Sequence, residues 1–176
     1  MNILGTKLIK KGIRMKQNLY LMCGIPGSGK STWASKQDNS YIISRDAIRK
    51  SLVGEEVNNG KYFSKEKEVF STFINEINSA IASNKANIII DATHTNPAGR
   101  KKVLSKLNLH HNLNLKIIAF PINLQTALER NSKRIGFAKV PPEAIVRMYS
   151  NFIMPDYDEF NYCINKINTI DIQEIN

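Results

Sequence analysis

Residues Gly24 to Thr32 read G-I-P-G-S-G-K-S-T, set between the apolar run Leu19-Tyr20-Leu21-Met22-Cys23 and the helix-compatible Trp33-Ala34. This segment predicts a loop that cradles the phosphates of a nucleoside triphosphate. Glycines at Gly24, Gly27 and Gly29 open backbone conformations closed to other residues and bring successive N–H groups close to phosphate oxygens. Ile25, Pro26, Ser28 and Thr32 complete the binding stretch. Lys30 supplies a point charge for the β- and γ-phosphates, and the Ser31 hydroxyl is placed to ligate a bridging Mg²⁺. A helix opening in the loop would aim its positive end at the same anion.

Context supports this reading. A short continuous apolar run before the loop is the signature of a strand buried in a parallel sheet. Strand, glycine loop and helix arrive in the order that the phosphate cradle requires.

Working outward, the 176 residues suit one domain with a sizeable core. No apolar run approaches the roughly 20 residues of a membrane span, and no signal peptide is evident. Cys23 and Cys163 fit no metal or disulfide spacing, and a reducing cytoplasm is expected. The formal net charge is +10. Five of these charges, Lys7, Lys10, Lys11, Arg14 and Lys16, precede the first strand with no acid among them. Residues 1–15 are therefore expected to be a basic N-terminal extension, either a disordered arm that holds polyanions or an appendage without a role. Residues 16–176 form the expected single domain.

Strands and helices alternate along that domain. Strands are expected at Tyr41–Ser44, Ile88–Asp91, Leu115–Phe120 and Asn161–Ile167. Helices are expected at Asp46–Leu52, at 64–83 with Ser64 as cap, from Asn96-Pro97 onward, at Leu124–Arg134, and from Pro141 through Ile153. Gly54–Phe63 reads as a polar loop in which Lys61, Tyr62 and Phe63, with Lys65 beyond, interleave aromatics and cations; they could stack a base or pack on the sheet. The result is an α/β fold, a parallel sheet of about five strands with helices on both faces. Ligands of such sheets lie at the carboxyl ends of the strands, where Gly24–Thr32, Ser44–Arg49 and Asp91–Asn96 all fall.

Phosphoryl transfer also needs an acceptor and a group to orient or deprotonate it. Asp46 and Arg49 share a helical face, where an acid beside a guanidinium could take a proton and hold a phosphate. They read equally as a helix cap with a surface arginine. Asp91 ends a strand where an acid can hold a metal through water, or it forms a turn. Thr93 and His94 follow in the same loop, and His94 is either an acceptor-side group or a structural neutral imidazole. Arg100 faces the acceptor groove or solvent. Arg130 and Arg134, four residues apart before Gly136, read as a lid carrying guanidiniums to the donor, or as cations at a helix C-terminus. Trp33 is expected in the core, and His110 and His111 at an exposed helix end.

The sequence resembles the kinase domain of phage-type polynucleotide 5′-hydroxyl kinases, within the P-loop kinases. The resemblance spans roughly Lys16 to Tyr157. It rests on Gly24–Ala34, Arg45-Asp46 with Arg49, Thr93 with Asn96-Pro97, R-N-S-K-R at Arg130–Arg134 followed by Val140-Pro141, and Met148-Tyr149. It implies ATP as donor with Mg²⁺ and a nucleic acid 5′-hydroxyl as acceptor. Lys30 and Ser31 would hold the donor, Asp46 would be the general base, and Arg49 would contact the acceptor's phosphate. Thr93 would line the acceptor site, and Arg134, flanked by Arg130, would be the lid arginine. The chain departs from the phage form at Asp91-Ala92-Thr93-His94, which is closer to the D-A-T-N of other end-healing kinases. No phosphatase domain follows, so repair of 3′-phosphates is not expected of it. A small-molecule or nucleotide-sugar kinase, or an ATP-dependent binding module, would share the loop.

Overall fold

The computed structural model describes residues 16–54 and 64–175. The basic extension and the cluster at Lys61, Tyr62 and Phe63 lie outside the described residues.

Five strands form one parallel sheet in the order β2-β3-β1-β4-β5. They are β1 (Gln17–Cys23), β2 (Ser40–Ser44), β3 (Asn87–Asp91), β4 (Leu113–Ala119) and β5 (Thr169–Glu174). Helices α1 (Lys30–Ala34), α2 (Arg45–Val53), α3 (Glu66–Ala82), α4 (Pro97–Leu104), α5 (Leu124–Ser132) and α6 (Pro142–Ser150) connect them. The unbroken Ile88-Ile89-Ile90 run follows from burial on both sides. Ile88 and Ile90 enter the larger core with Val69, Phe73 and Ile77 of α3 and Val103 and Leu104 of α4. Ile89 points the other way, to Met22, Ala34 and Phe120. A strand that alternates between two apolar faces has no position left for a polar residue.

Trp33 packs beside that second cluster, 5.8 Å from the ring of Tyr20 and 5.9 Å from that of Phe120. α3 buries Val69, Phe73, Ile74, Ile77, Ala80 and Ile81, the expected stripe. Its cap differs from expectation: Lys65 occupies the N-cap without a side-chain hydrogen bond. The last strand also differs. Residues 161–167 are turns and a short 3-10 helix, Ile164–Lys166. The strand lies beyond them, where Thr169 pairs with Asn114 and Glu174 with Ala119. Cys163 and Ile167 are buried as plugs of the larger core, which explains an apolar pattern there without a strand. Among the described residues no helix is long and apolar enough to cross a membrane.

Candidate active site

The glycine loop leaves β1 and turns into α1 through two left-handed residues, Gly27 at φ 90° and Gly29 at φ 100°. At Gly27 there is no room either, since a Cβ would lie 2.9 Å from the Ala127 carbonyl oxygen of α5. The loop is thus pressed against the helix that bears the arginines. α1 is only five residues long, so its dipole is short and the loop's own N–H groups and Lys30 dominate the anion field.

Lys30 is buried, and its Nζ donates to the Ile25 carbonyl at 2.9 Å and to Ser28 Oγ at 3.4 Å. Burial lowers its pKa to about 8, opposed by the negative charges of Asp91 and then Asp46, while Arg134 pushes the same way as burial. Charges of both signs, from Asp91, Asp46 and Arg134, thus act on one ammonium. Ser31 Oγ donates to Asp91 Oδ2 at 3.2 Å. Burial pushes the Asp91 carboxyl up, while Lys30 and the Ser31 hydrogen bond pull it down. Two adjacent hard oxygens suit Mg²⁺, which takes one or two protein ligands and completes its octahedron with water and phosphate. No group of three or more His, Cys, Asp or Glu side chains forms a metal cage among the described residues.

On the other side, Ser44 caps α2, its Oγ accepting from Ala47 N at 3.4 Å, so Asp46 is not the cap. The Asp46 side chain is 73% exposed, and its Oδ1 accepts from Arg49 Nη1 at 2.5 Å. Arg49 is 7% exposed and also donates to Glu66, with Nη2 3.0 Å from Oε2 and Nε 3.2 Å from the same oxygen. Glu66 accepts from Arg45 as well. An acid on the first turn of α3 thereby holds two guanidiniums of α2, and through Arg49 it fixes the Asp46 carboxylate. Nothing in sequence spacing marked Glu66, which lies across the 55–63 segment from its partners.

The loop after β3 is tied to the glycine loop, since Gly24 N donates to the Thr93 carbonyl at 2.8 Å. Thr93 is half-buried there. For His94 the structure shows the second of its two readings, and for Arg100 neither. His94 lies in the interior at φ 42°, with Nδ1 2.9 Å from the Met22 carbonyl. That carbonyl fixes the proton on Nδ1, and Nε2 is buried without a partner among the described residues. Burial lowers the pKa to about 4, so this is a neutral structural imidazole beneath the loop. Arg100 faces neither groove nor solvent. It is fully buried, clamps Glu159 at 2.9 Å, and donates to the carbonyls of His94 and Ile153. Every direction of its fork is used to join α4, the strand-end loop and the segment after α6. Cys23 is also buried, and desolvation pushes its thiol up to about 12, so it is an inert small hydrophobe.

At the α5 end, Arg130 Nη1 donates to the Gly27 carbonyl at 3.0 Å, bridging helix and loop. Arg134 Nη1 donates to Ala138 O at 3.4 Å. Buried Asn131, overlooked in the sequence, pairs both ways with the Val140 backbone, at 2.7 and 3.0 Å. It closes 132–139 into a loop with a 3-10 turn at Gly136–Ala138.

Fold and loop together define a P-loop nucleotide-binding α/β domain of the kinase type. The chain belongs to the AAA_33 family of AAA domains, whose model matches residues 19–155. It is 28% identical over 154 residues to a putative bifunctional polynucleotide kinase/RNA ligase of Autographa californica nuclear polyhedrosis virus, covering 82% of this chain and 22% of that protein. The fold superposes on a chain of the Pnkp1/Rnl/Hen1 RNA repair complex with TM-score 0.62 and 21% identity, over 81% of this chain and 46% of that one. It also superposes on a sugar kinase of Janibacter sp. with TM-score 0.58 and 12% identity, over 90% and 85%. The chain thus spans less than half of the two repair proteins it is similar to.

Proposed function

We propose that this chain is an ATP-dependent, Mg²⁺-requiring kinase that phosphorylates the 5′-hydroxyl of DNA or RNA. The observation that carries the reading is Asp46: an exposed carboxylate on the first turn after β2, held by Arg49 at 2.5 Å and set at the same carboxyl end of the sheet as the phosphate loop. A protein that only senses nucleotide has no use for an acid anchored in this way at the strand ends. The similarity to a polynucleotide kinase/RNA ligase favours a nucleic acid acceptor.

In this reading the loop N–H groups, Lys30 and Arg134 hold the donor phosphates, with Arg130 bracing the loop from behind. Ser31 and, through water, Asp91 would hold Mg²⁺, which would offset charge on the phosphate oxygens. Asp46 accepts the 5′-hydroxyl proton as that oxygen bonds to the γ-phosphorus. The bond from the γ-phosphorus to the β–γ bridging oxygen breaks, and ADP departs. Arg49 lies beside the acceptor, and Thr93 lines its pocket.

Transfer of labelled γ-phosphate to 5′-hydroxyl oligonucleotides tests this. Wild type should label the ends, and Asp46→Asn should lower kcat by about 10²–10⁴-fold with ATP binding retained. Should wild type hydrolyse ATP yet label no DNA or RNA end, the polynucleotide reading fails. Full transfer by Asp46→Asn would remove the base assignment alone.

A further inference from the structure

α4 and its following turn read P-A-G-R-K-K-V-L-S-K from Pro97 to Lys106, without an acid. Arg100 is consumed in the interior by Glu159. Lys101, Lys102 and Lys106 are exposed, and none of them belongs to an ion pair found among the described residues. Lys102 Nζ lies 4.8 Å from the centroid of the Phe70 ring on α3. Arg45, the neighbour of Asp46, places its guanidinium carbon 5.6 Å from the same ring. One aromatic ring thus joins the acceptor-side cluster to the edge of α4.

Lys106 continues the line. It comes four residues after Lys102, in the turn that follows α4. Its carbonyl accepts from Asn78 Nδ2 of α3 at 3.1 Å, and Asn78 Oδ1 accepts from Asn108 N at 2.8 Å. Arg45 and Lys102 thus share the Phe70 ring beside Asp46, and Lys106 follows in the turn that Asn78 ties to α3. Among the described residues, Glu66 beside Arg45 is already engaged by Arg45 and Arg49. The acidic turn 156–159 packs against α4 beside the opposite edge, where Lys101 covers the Tyr162 ring at 5.3 Å.

We propose that Arg45, Lys102 and Lys106 form a phosphate-contacting track for the nucleic acid strand that trails from the 5′-terminal nucleotide. The proposal deepens the function argued above and rests on it. Lys102 and Lys106, exposed and in no ion pair found among the described residues, attract a polyanion and carry no base preference, and Arg45 shares its charge with Glu66. A small acceptor would end at Asp46 and never reach them.

The test is fluorescence anisotropy of a 3′-labelled, single-stranded 5′-hydroxyl oligonucleotide bound to the full chain across a salt series. Lys102→Gln/Lys106→Gln is compared with wild type and with Lys36→Gln/Lys116→Gln. The control pair removes the same charge from the α1 side of the sheet, where Lys116 lies over Tyr20. The track variant should raise Kd at low salt by about tenfold or more. It should also flatten the slope of log K against log salt by about 1.4, at roughly 0.7 per lost contact. The control should keep the wild-type slope, and matching melting temperatures show that all three chains fold. An unchanged slope, an equal change in the control, or no binding by wild type overturns the track. Binding through these lysines without phosphate transfer would leave the track standing and sink the kinase reading. Transfer with an unchanged slope does the reverse.

Discussion

The proposed donor and acceptor sides of the strand ends are built by different means. On the donor side, one unbroken stretch supplies loop backbone, ammonium and metal-side hydroxyl, and α5 presses on it from behind. On the acceptor side, the polar groups come from three separate elements: Asp46 and Arg49 from α2, Glu66 from α3, Thr93 from the loop after β3. A backbone cradle needs glycine and close approach, and it tolerates almost any side chain elsewhere. A side-chain constellation depends on ion pairs between distant segments, and any one partner can loosen it.

The contrast is broken most severely from the donor side. Gly27→Ala combines a left-handed backbone with a Cβ 2.9 Å from the Ala127 carbonyl oxygen, so loop or helix must move. Gly29→Ala carries the same backbone penalty with nothing within 4 Å. The strain alone, about 1–2 kcal/mol, corresponds to a 5- to 30-fold loss. ATP affinity should therefore fall about 10²-fold or more in Gly27→Ala and only about tenfold in Gly29→Ala, measured by calorimetry. Equal losses would mean that contact with α5 is irrelevant.

A smaller effect, confined to the acceptor side, is expected of Glu66→Gln. The Arg49 guanidinium would stay buried while its carboxylate partner loses charge, releasing the hold on Asp46. kcat/KM for the acceptor should drop about 10- to 100-fold, while the Kd for ATP changes less than about twofold. If ATP affinity falls in parallel, the two sides are not separately built.

This division also explains what was legible in the sequence. The glycine loop could be read outright because its function depends on local backbone geometry. The alternating strands could be read because burial on both faces leaves continuous apolar runs such as Ile88-Ile89-Ile90. Glu66 could not be read: its partners Arg45 and Arg49 lie beyond a long connection, and pairing across it is set by the packing of α2 on α3. Arg100 was misplaced because a charged residue on a helix reads as exposed unless its buried partner, here Glu159 far along the chain, is known. The last strand was misplaced because the buried plugs Cys163 and Ile167 imitate strand periodicity just before the real one.

The last expected effect concerns stability rather than activity and sits where the two sides meet. His94 ties the loop after β3 to β1 through the Met22 carbonyl. Its pKa falls from 6.5 to about 4 because burial penalises the imidazolium. Between those values the unfolded chain binds a proton that the folded chain refuses. Stability therefore falls as pH drops through this window and recovers above it, by up to about 3 kcal/mol from this group alone. Asn tolerates the left-handed backbone at φ 42° and does not titrate. His94→Asn loses part of the hydrogen bond at neutral pH, so the informative quantity is slope rather than absolute stability. Urea unfolding from pH 7 to pH 4.5 should show a shallower decline in the variant than in wild type, while other carboxylates titrate equally in both. Parallel declines would mean that His94 takes up its proton without leaving the fold, and that the loop beneath the acceptor site is looser than its hydrogen bond to β1 implies.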